Sequence, residues 1–304
     1  ILTRGAVLND LRLDGVGHGL TLGSPDLDAY LGGMGYHGAI VGPVANRIAG
    51  ATATVEGRTC RFQANEGPNL LHGGETGTHA RLWKIEAQEG DRVTLRLNLQ
   101  NGDGGFPGNR TIRATYRLAG DGALRLRIEA ESDAPTLFNF AHHGYWNLDG
   151  GARYDGHRLR IFAERYLPVD DANLPTGKAL PVAGTPFDLR DQRALRPGQD
   201  PRIDHNFCIA DRAGPMRPVL TLIGTSGVRM DVESTEPGLQ VFDGGNEVAA
   251  PYRGHDGQVY GMFAGLALEP QAWPDAPHNP GFPSIVCGPD RAYRQETVFR
   301  FSRS

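Results

Sequence analysis

The strongest constraint on the fold of this chain is a strict alternation of apolar and polar residues in three consecutive segments. They cover residues 93–99, 112–118 and 124–130. Successive side chains of a strand point to opposite faces, so a period of two predicts half-buried β-strands with one face in solvent. Asp121-Gly122, between the second and third segments, readily adopts positive φ and predicts an antiparallel hairpin.

Strand patterns continue along the rest of the chain, whereas helical periodicity over ten or more residues is not convincing anywhere. The further strand candidates are RLRIFA (158–163), VLTLIG (219–224), VRMDVE (228–233), LQVFDG (239–244) and GLALEPQ (265–271). Glycine and proline number 42 and 21 of the 304 residues, which favours many turns between short strands. Without an internal repeat or a linker-like segment, we expect one all-β domain over residues 1–304, either a sandwich or a barrel.

Charge and cysteine content exclude several classes of partner. The formal net charge is -4, and lysine and arginine are scattered, so the sequence predicts neither nucleic-acid binding nor attachment to an anionic membrane. No apolar run is long enough to span a bilayer, and the opening residues lack the order of a signal peptide. Cys60, Cys208 and Cys287 are far apart and form no CxxC motif, which argues against a disulfide framework or a structural zinc site. We expect a reducing, cytoplasmic location and a small partner without strong charge.

Familiar catalytic motifs are missing, and the candidate functional residues stand in unusual local contexts instead. The chain contains no GxxxxGK[ST], GxSxG or HExxH motif, which argues against a phosphate-binding loop, a nucleophile elbow and a zinc-protease site. The remaining candidates are Asn46-Arg47 in GPVANRIAG, His72 in PNLLHGG, His143 in AHHGYWNL, Asp204-His205 in IDHNF and Glu269 in LALEPQAWPD.

The stretch FNFAHHGYWNL, residues 138–148, places two histidines side by side in an extended segment. Strand parity puts His142 on the face that carries Phe138, Phe140 and Trp146, and puts His143 on the other, more polar face. If the apolar face packs into the core, His143 alone can reach a pocket. Structural roles for both remain open, and a metal pair is the weaker alternative because neighbouring strand residues diverge and no third ligand lies nearby.

His72 and Glu269 stand at the ends of apolar runs, where site residues often gather. His72 precedes Gly73-Gly74, and the alternative to a functional role is a surface histidine in a turn. Glu269 ends GLALE, where burial is costly unless the carboxylate is paired or catalytic, and Pro270 restricts it to extended backbone. The alternative for Glu269 is a structural glutamate bonded to a neighbouring arginine.

Seven phrases in order along nearly the whole chain resemble the aldose 1-epimerase (galactose mutarotase) family. They are ANRIAGA, PNLLHGG, HHGYWNL, LPTGK with GTPFDLR, DHNF, EPGLQVF and LEPQAWPDAPHNPGFPS. The resemblance implies a large antiparallel β-sandwich of the galactose mutarotase type. It also implies a cytoplasmic isomerase that interconverts the α and β anomers of a free monosaccharide, of galactose or glucose type, without cofactor or metal, as a monomer or homodimer.

The resemblance also assigns roles to individual residues. Glu269 matches the general base that takes the proton from the anomeric hydroxyl, and His143 matches the acid that protonates the ring oxygen. His72 matches a second histidine near that oxygen. Asn46, Arg47 and Asp204 match the substrate-binding segments. Ring opening needs a base at O1 and an acid at the ring oxygen, so a carboxylate and an imidazole suffice.

The chain departs from the family pattern at three positions near these residues. Pro43 stands where an arginine is usual, His142 where an asparagine is usual, and Gly144 where a serine is common. Two alternatives on the same fold stay open: a sugar-binding protein without turnover, and a sugar-phosphate mutarotase. The first needs neither Glu269 nor His143, and the second should show additional cations around the pocket.

Overall fold

The computed structural model describes residues 1–303, and strands form nearly all of their regular structure. Numbered in chain order, the strands are β1 (Ile40–Val41), β2 (Arg47–Ile48), β3 (Thr52–Val55), β4 (Arg58–Arg61), β5 (Leu70–Leu71), β6 (Lys84–Glu89), β7 (Arg92–Leu99), β8 (Arg110–Ala119), β9 (Ala123–Ser132), β10 (Thr136–Leu137), β11 (Ala141–His142), β12 (Tyr145–Trp146), β13 (Arg158–Ile161), β14 (Arg165–Leu167), β15 (Leu180–Pro181), β16 (Arg193–Ala194), β17 (Asp204–Cys208), β18 (Arg217–Ile223), β19 (Val228–Ser234), β20 (Gly238–Phe242), β21 (Leu266–Gln271), β22 (Val286–Cys287) and β23 (Tyr293–Arg303).

Helices are limited to short 3₁₀ turns. Within residues 1–303 they are Leu27–Leu31, Ala49–Ala51, Thr78–Ala80, Asp103–Gly105 and Ala276–His278. A helix with the length and apolar character needed to cross a membrane is absent from the described part of the chain.

Two antiparallel sheets form the body of the sandwich. The larger has nine strands in the order β16-β13-β18-β19-β23-β9-β8-β7-β6, and the smaller has six in the order β12-β21-β20-β17-β14-β15. Four two-stranded ribbons, β1-β11, β2-β5, β3-β4 and β10-β22, complete the pairing in residues 1–303. The expected all-β sandwich is confirmed. Strands β6 to β9 are neighbours in chain order, whereas β9 pairs with β23 and β12 with β21, so strands distant in the sequence also lie side by side.

The three alternating segments form β7, β8 and β9, side by side in the larger sheet. Leu95, Ala114 and Ile128 lie opposite one another across these strands, and all three are buried. The hairpin between β8 and β9 is also confirmed, with Gly122 at φ 73°. The candidates at 158–163, 219–224, 228–233, 239–244 and 265–271 correspond to β13, β18, β19, β20 and β21. The eleven-residue β23 was not among the candidates.

The main hydrophobic core lies between the inner faces of the two sheets. The larger sheet contributes Leu126 and Leu220, and the smaller sheet contributes Val241 and Leu268. Apolar residues thus occupy one face of the six-stranded sheet, and its other face is free to carry polar groups.

His142 lies within this core. Its ring is 5.7 Å from that of Phe299, 6.0 Å from Trp146 and 6.3 Å from Tyr116. Neither ring nitrogen has a hydrogen-bond partner among residues 1–303. Burial, with a smaller contribution from His143, lowers the pKa of His142 to about 3, so the ring is neutral. The face predicted from parity for His142 is therefore correct.

We predict that His142→Leu makes the stability of the fold less dependent on pH. The folded pKa lies below the unfolded value of about 6.5, so the unfolded chain binds more protons and stability falls as pH drops from about 6.5 towards 3. Between pH 7 and pH 5 this contribution amounts to roughly 2 kcal/mol. Urea unfolding at the two pH values measures the difference between wild type and variant.

Ile128→Val provides the matched control for this prediction. It removes one methylene group from the same core and introduces no titratable group, so it should cost about 1 kcal/mol equally at both pH values. Parallel stability–pH curves for wild type and His142→Leu would contradict the prediction.

Candidate active site

The floor of the site is the polar face of the six-stranded sheet. Glu269 on β21 lies opposite Gln240 on β20, and Gln240 lies opposite Asn206 on β17. Directly opposed residues of antiparallel strands project to the same face. The intervening residues Leu268 and Val241 belong to the core, so the three polar side chains point away from the nine-stranded sheet.

Asp204 lies two residues along β17 from Asn206, on the same face of the sheet. Its Oδ1 accepts a 2.6 Å hydrogen bond from Nε2 of Gln240. Sequence reasoning did not identify Gln240, although a signal was present: strand parity separates this glutamine from its apolar neighbours Leu239 and Val241 in LQVF. Gln240 is 4% exposed, and a buried glutamine needs a polar partner.

His143 is held beside this floor by the backbone of the segment before β1. Its N–H donates to the carbonyl of Ala39 at 2.8 Å, and its carbonyl accepts from the N–H of Gly38 at 2.9 Å. The predicted extended segment is therefore interrupted at His143-Gly144, between β11 and β12, while the alternation of faces is kept. His143 Nε2 lies 3.7 Å from Oε1 of Glu269, with both side chains buried. Two of the predicted residues thus meet although 126 positions separate them.

His72 meets Asn46 where β2 pairs with β5. Both residues have positive φ, 52° and 62° respectively. The N–H of Asn46 donates to His72 Nδ1 at 3.1 Å, and the N–H of His72 donates to the carbonyl of Asn46 at 3.0 Å. An acceptor at Nδ1 leaves the ring proton on Nε2, so His72 can donate a hydrogen bond to a ligand. His72 is 6% exposed and its ring is 5.2 Å from that of His143, so the surface-histidine alternative is wrong.

Arg47 is fixed by a bidentate ion pair with Glu66. Its Nε and Nη2 donate to the two carboxylate oxygens at 2.6 and 2.7 Å. Its backbone N–H donates to the side-chain oxygen of Asn46 at 2.8 Å. Glu269 has no hydrogen bond to an arginine among residues 1–303, and its Oε2 is unpaired there, so the structural alternative for Glu269 is wrong.

Burial pushes both members of the Glu269–His143 pair towards their neutral forms. It raises the pKa of Glu269 well above its ordinary value, with a further increase from Asp204 and an opposing decrease from Arg47. It lowers the pKa of His143 to about 4. The pKa of Asp204 is raised, mainly by burial, and Arg47 again opposes the shift. Arg47 is therefore the cation that favours both ionised carboxylates of the site.

Aromatic rings form a wall beside the histidines. The ring of Tyr36 lies 4.9 Å from that of His72 and 5.8 Å from that of His143, and the ring of Tyr145 lies 5.1 Å from His143. Sequence reasoning missed Tyr36, which stands in a loop without a motif. Phe242 is half-buried on the site face of β20, next to Tyr145.

All six residues predicted for the site border this one face of the smaller sheet and its adjoining loops. They combine two carboxylates, two neutral imidazoles, one guanidinium and one amide. Among residues 1–303, no group of three or more His, Cys, Asp or Glu side chains is placed to hold a metal ion. The arrangement can exchange protons between a carboxylate and an imidazole and can bind hydroxyl groups.

Comparisons with known proteins agree with this geometry. The aldose 1-epimerase family model matches residues 1–300. Galactose mutarotase of Rattus norvegicus is 35% identical over 311 residues, covering 99% of this chain and 90% of that protein. Aldose 1-epimerase of Escherichia coli K12 is 33% identical over 313 residues, covering 98% and 90%. An aldose epimerase homologue from C. elegans has a crystal structure that superposes with a TM-score of 0.91 at 29% identity, covering 99% and 94%. The chain therefore belongs to the aldose 1-epimerase family, and it is an isomerase that interconverts the anomers of sugars.

Proposed function

We propose that Glu269 and His143 are the base and the acid that open and close the sugar ring. Glu269 takes the proton of the anomeric hydroxyl as His143 donates a proton to the ring oxygen, and the bond between that oxygen and C1 breaks to give the open aldehyde. After rotation about the C1–C2 bond, the two groups reverse their roles and the ring closes on the opposite face of C1. The observation that carries this proposal is the 3.7 Å separation of His143 Nε2 and Glu269 Oε1.

This separation suits two groups that act on atoms bonded to the same carbon. The distance is longer than a hydrogen bond, so neither atom is engaged by the other. The hydroxyl oxygen and the ring oxygen are both attached to C1, and the base and the acid must therefore lie close together. One proton shared by the pair gives the productive state, with Glu269 ionised and His143 protonated.

We assign the binding of the sugar hydroxyls to the groups around the pair. His72 donates from Nε2 near the ring oxygen, since its Nδ1 is already engaged by Asn46. Arg47 and Asp204 face Glu269 closely enough to affect its pKa, and they are suited to donate to and accept from hydroxyl groups. Gln240, hydrogen-bonded to Asp204, joins this set.

A free aldose of galactose or glucose type is the proposed substrate. The names of the rat and E. coli relatives support this choice. Glu66 engages the Nε–Nη2 edge of the Arg47 guanidinium and neutralises part of its charge, which disfavours a sugar-phosphate substrate. The reaction transfers protons while one C–O bond of the sugar breaks and re-forms, without a change of oxidation state, so we propose that the side chains suffice without a cofactor.

The remaining parts of the proposal concern the setting of the enzyme. We propose a single domain that works as a monomer or homodimer in the cytoplasm, with a monosaccharide as its partner and neither nucleic acid nor membrane. The three cysteines are free, which suits a reducing compartment. The net charge of -4 suits a partner without strong charge.

We predict that Glu269→Gln lowers kcat by about 10²–10⁴-fold, because an amide cannot accept the anomeric proton. The measurement is the change in optical rotation of freshly dissolved α-galactose and α-glucose, with and without protein. Gln88→Ala, on the exposed face of β6, is the control and should leave the rate unchanged. Wild-type protein that fails to exceed the buffer rate on either sugar would contradict the proposal.

The adjacent histidines should differ sharply in their effect on turnover. His143→Asn removes the proposed acid and should lower kcat by about 10²–10⁴-fold. His142→Asn changes a core residue on the opposite face and should leave kcat within a few-fold of wild type, provided that the variant is folded. Polarimetry with circular dichroism measures both properties. The reverse order of effects would refute the assignment of faces.

Arg47→Gln should move the acidic limb of the kcat/KM–pH profile to higher pH. Arg47 lowers the pKa of Glu269, so its removal raises that pKa, and the base is then ionised only at a higher pH. The variant should also show a raised KM, since Arg47 is a proposed substrate ligand. Arg61→Gln, at an exposed arginine on β4, is the control. An acidic limb that stays in place or moves to lower pH would contradict this prediction.

A further inference from the structure

A cavity of about 330 Å³ lies beyond the candidate site, where β20 begins and β21 ends. Its apolar lining includes Phe138, Pro283 and Ile285. Ala272, which also lines it, lies three residues beyond Glu269, or about 10 Å along an extended chain. The cavity is therefore separate from the groups that act on the sugar, and its volume suits a small organic molecule.

Glu236 lies at the buried end of this cavity. The residue is 2% exposed and lines the cavity, yet its carboxyl makes no hydrogen bond among residues 1–303. A buried carboxyl without a partner costs free energy, and natural proteins rarely keep one without a function or a ligand. The proposed reaction does not use Glu236.

Cations surround the cavity. The exposed arginines of the lining are Arg212, Arg291 and Arg294, and none of them has a carboxylate within 4.0 Å among residues 1–303. Arg217 lies near enough to Glu236 to affect its pKa. Glu236 is the one acidic residue in the lining. A positively charged mouth and an apolar wall favour an anion with an apolar body over a cation or a polyol.

We propose that this cavity binds a small organic carboxylate, with its charged group between Arg291 and the carboxyl of Glu236 and its apolar body against Phe138 and Ile285. The guanidinium donates to the anion, and the protonated Glu236 donates its O–H to the second oxygen of the ligand. The buried carboxyl then acquires the partner that it lacks in the free protein.

The protonation of Glu236 gives the binding a defined pH dependence. Burial raises the pKa of this carboxyl to about 8, and Arg217 opposes the shift. The other titratable groups that face it are Tyr293 and Cys287, whose pKa values are raised by burial, so both are neutral at pH 7 and pH 8. The arginines of the mouth stay charged. Above pH 8 Glu236 ionises, loses its donor and repels the anion, and the affinity falls.

Benzoate and its neutral counterpart benzyl alcohol are suitable probes for the full-length protein. We expect saturable benzoate binding at pH 7, measured by saturation-transfer NMR, and at least tenfold weaker binding of benzyl alcohol.

Arg291→Gln should weaken benzoate binding about tenfold, whereas Arg158→Gln, at an exposed arginine on β13 outside the cavity, should not change it. The affinity of wild type should fall about tenfold between pH 7 and pH 9, because the protonated fraction of Glu236 falls by that factor. Glu236→Gln, which keeps an N–H donor, should remove this dependence.

Other outcomes would overturn the proposal. They are no benzoate binding at pH 7, equal affinity in wild type and Arg291→Gln, or an unchanged pH dependence in Glu236→Gln. Displacement of benzoate by saturating galactose would place the probe in the sugar site instead. If Glu236→Gln does not fold, the benzoate affinity of Arg291→Gln still tests the proposal, because Arg291 is exposed and its substitution should leave the fold intact. The mutarotation rate of each variant verifies that the sugar site is intact, and a failure of the proposed sugar chemistry would leave these binding results unaffected.

Discussion

The burial of the Glu269 carboxyl is the interaction on which the rest of the site depends. A carboxylate within a sheet is costly because it loses hydration, and here the loss is offset only in part by Arg47. The same burial disfavours the charged form of His143, 3.7 Å away. The proton that the pair shares therefore rests on Glu269 in the free protein, and Arg47, which lowers the pKa of Glu269, reduces the cost of ionising this carboxyl for the reaction.

The β-sandwich provides this environment through the two faces of the six-stranded sheet. One face gives Leu268 and Val241 to the core, and the other gives Glu269, Gln240 and Asn206 to the site. A shift of one residue in the pairing of β20 with β21 would send these polar groups into the core. The nine-stranded sheet therefore contributes to function indirectly, because its packing keeps the register of the smaller sheet. The alternation of faces also separates the two adjacent histidines, because His142 lies in the core and His143 lies in the site.

Much of the fold and part of the site could be predicted because they depend on local sequence. Alternation located β7, β8 and β9 and the hairpin between the last two, and parity separated His142 from His143 even though the strand breaks there. Tyr36 and Glu66 could not be predicted. Tyr36 reaches the histidines from an irregular loop, and Glu66 becomes the partner of Arg47 only through the pairing of β2 with β5. No local sequence pattern predicts the contact of Tyr36 with the histidines or that of Glu66 with Arg47.

By itself, the sequence determined the strand content, the face on which each strand residue lies, and the family to which the motifs belong. These properties follow from side-chain periodicity and from short motifs, both of which are local. The tertiary structure decided which groups meet and in what protonation state. Glu269 and His143 approach one another across 126 residues, and the direction of their pKa shifts depends on the water that folding removes from around them. Desolvation is a property of the packed sheets, so no segment of the sequence carries it alone.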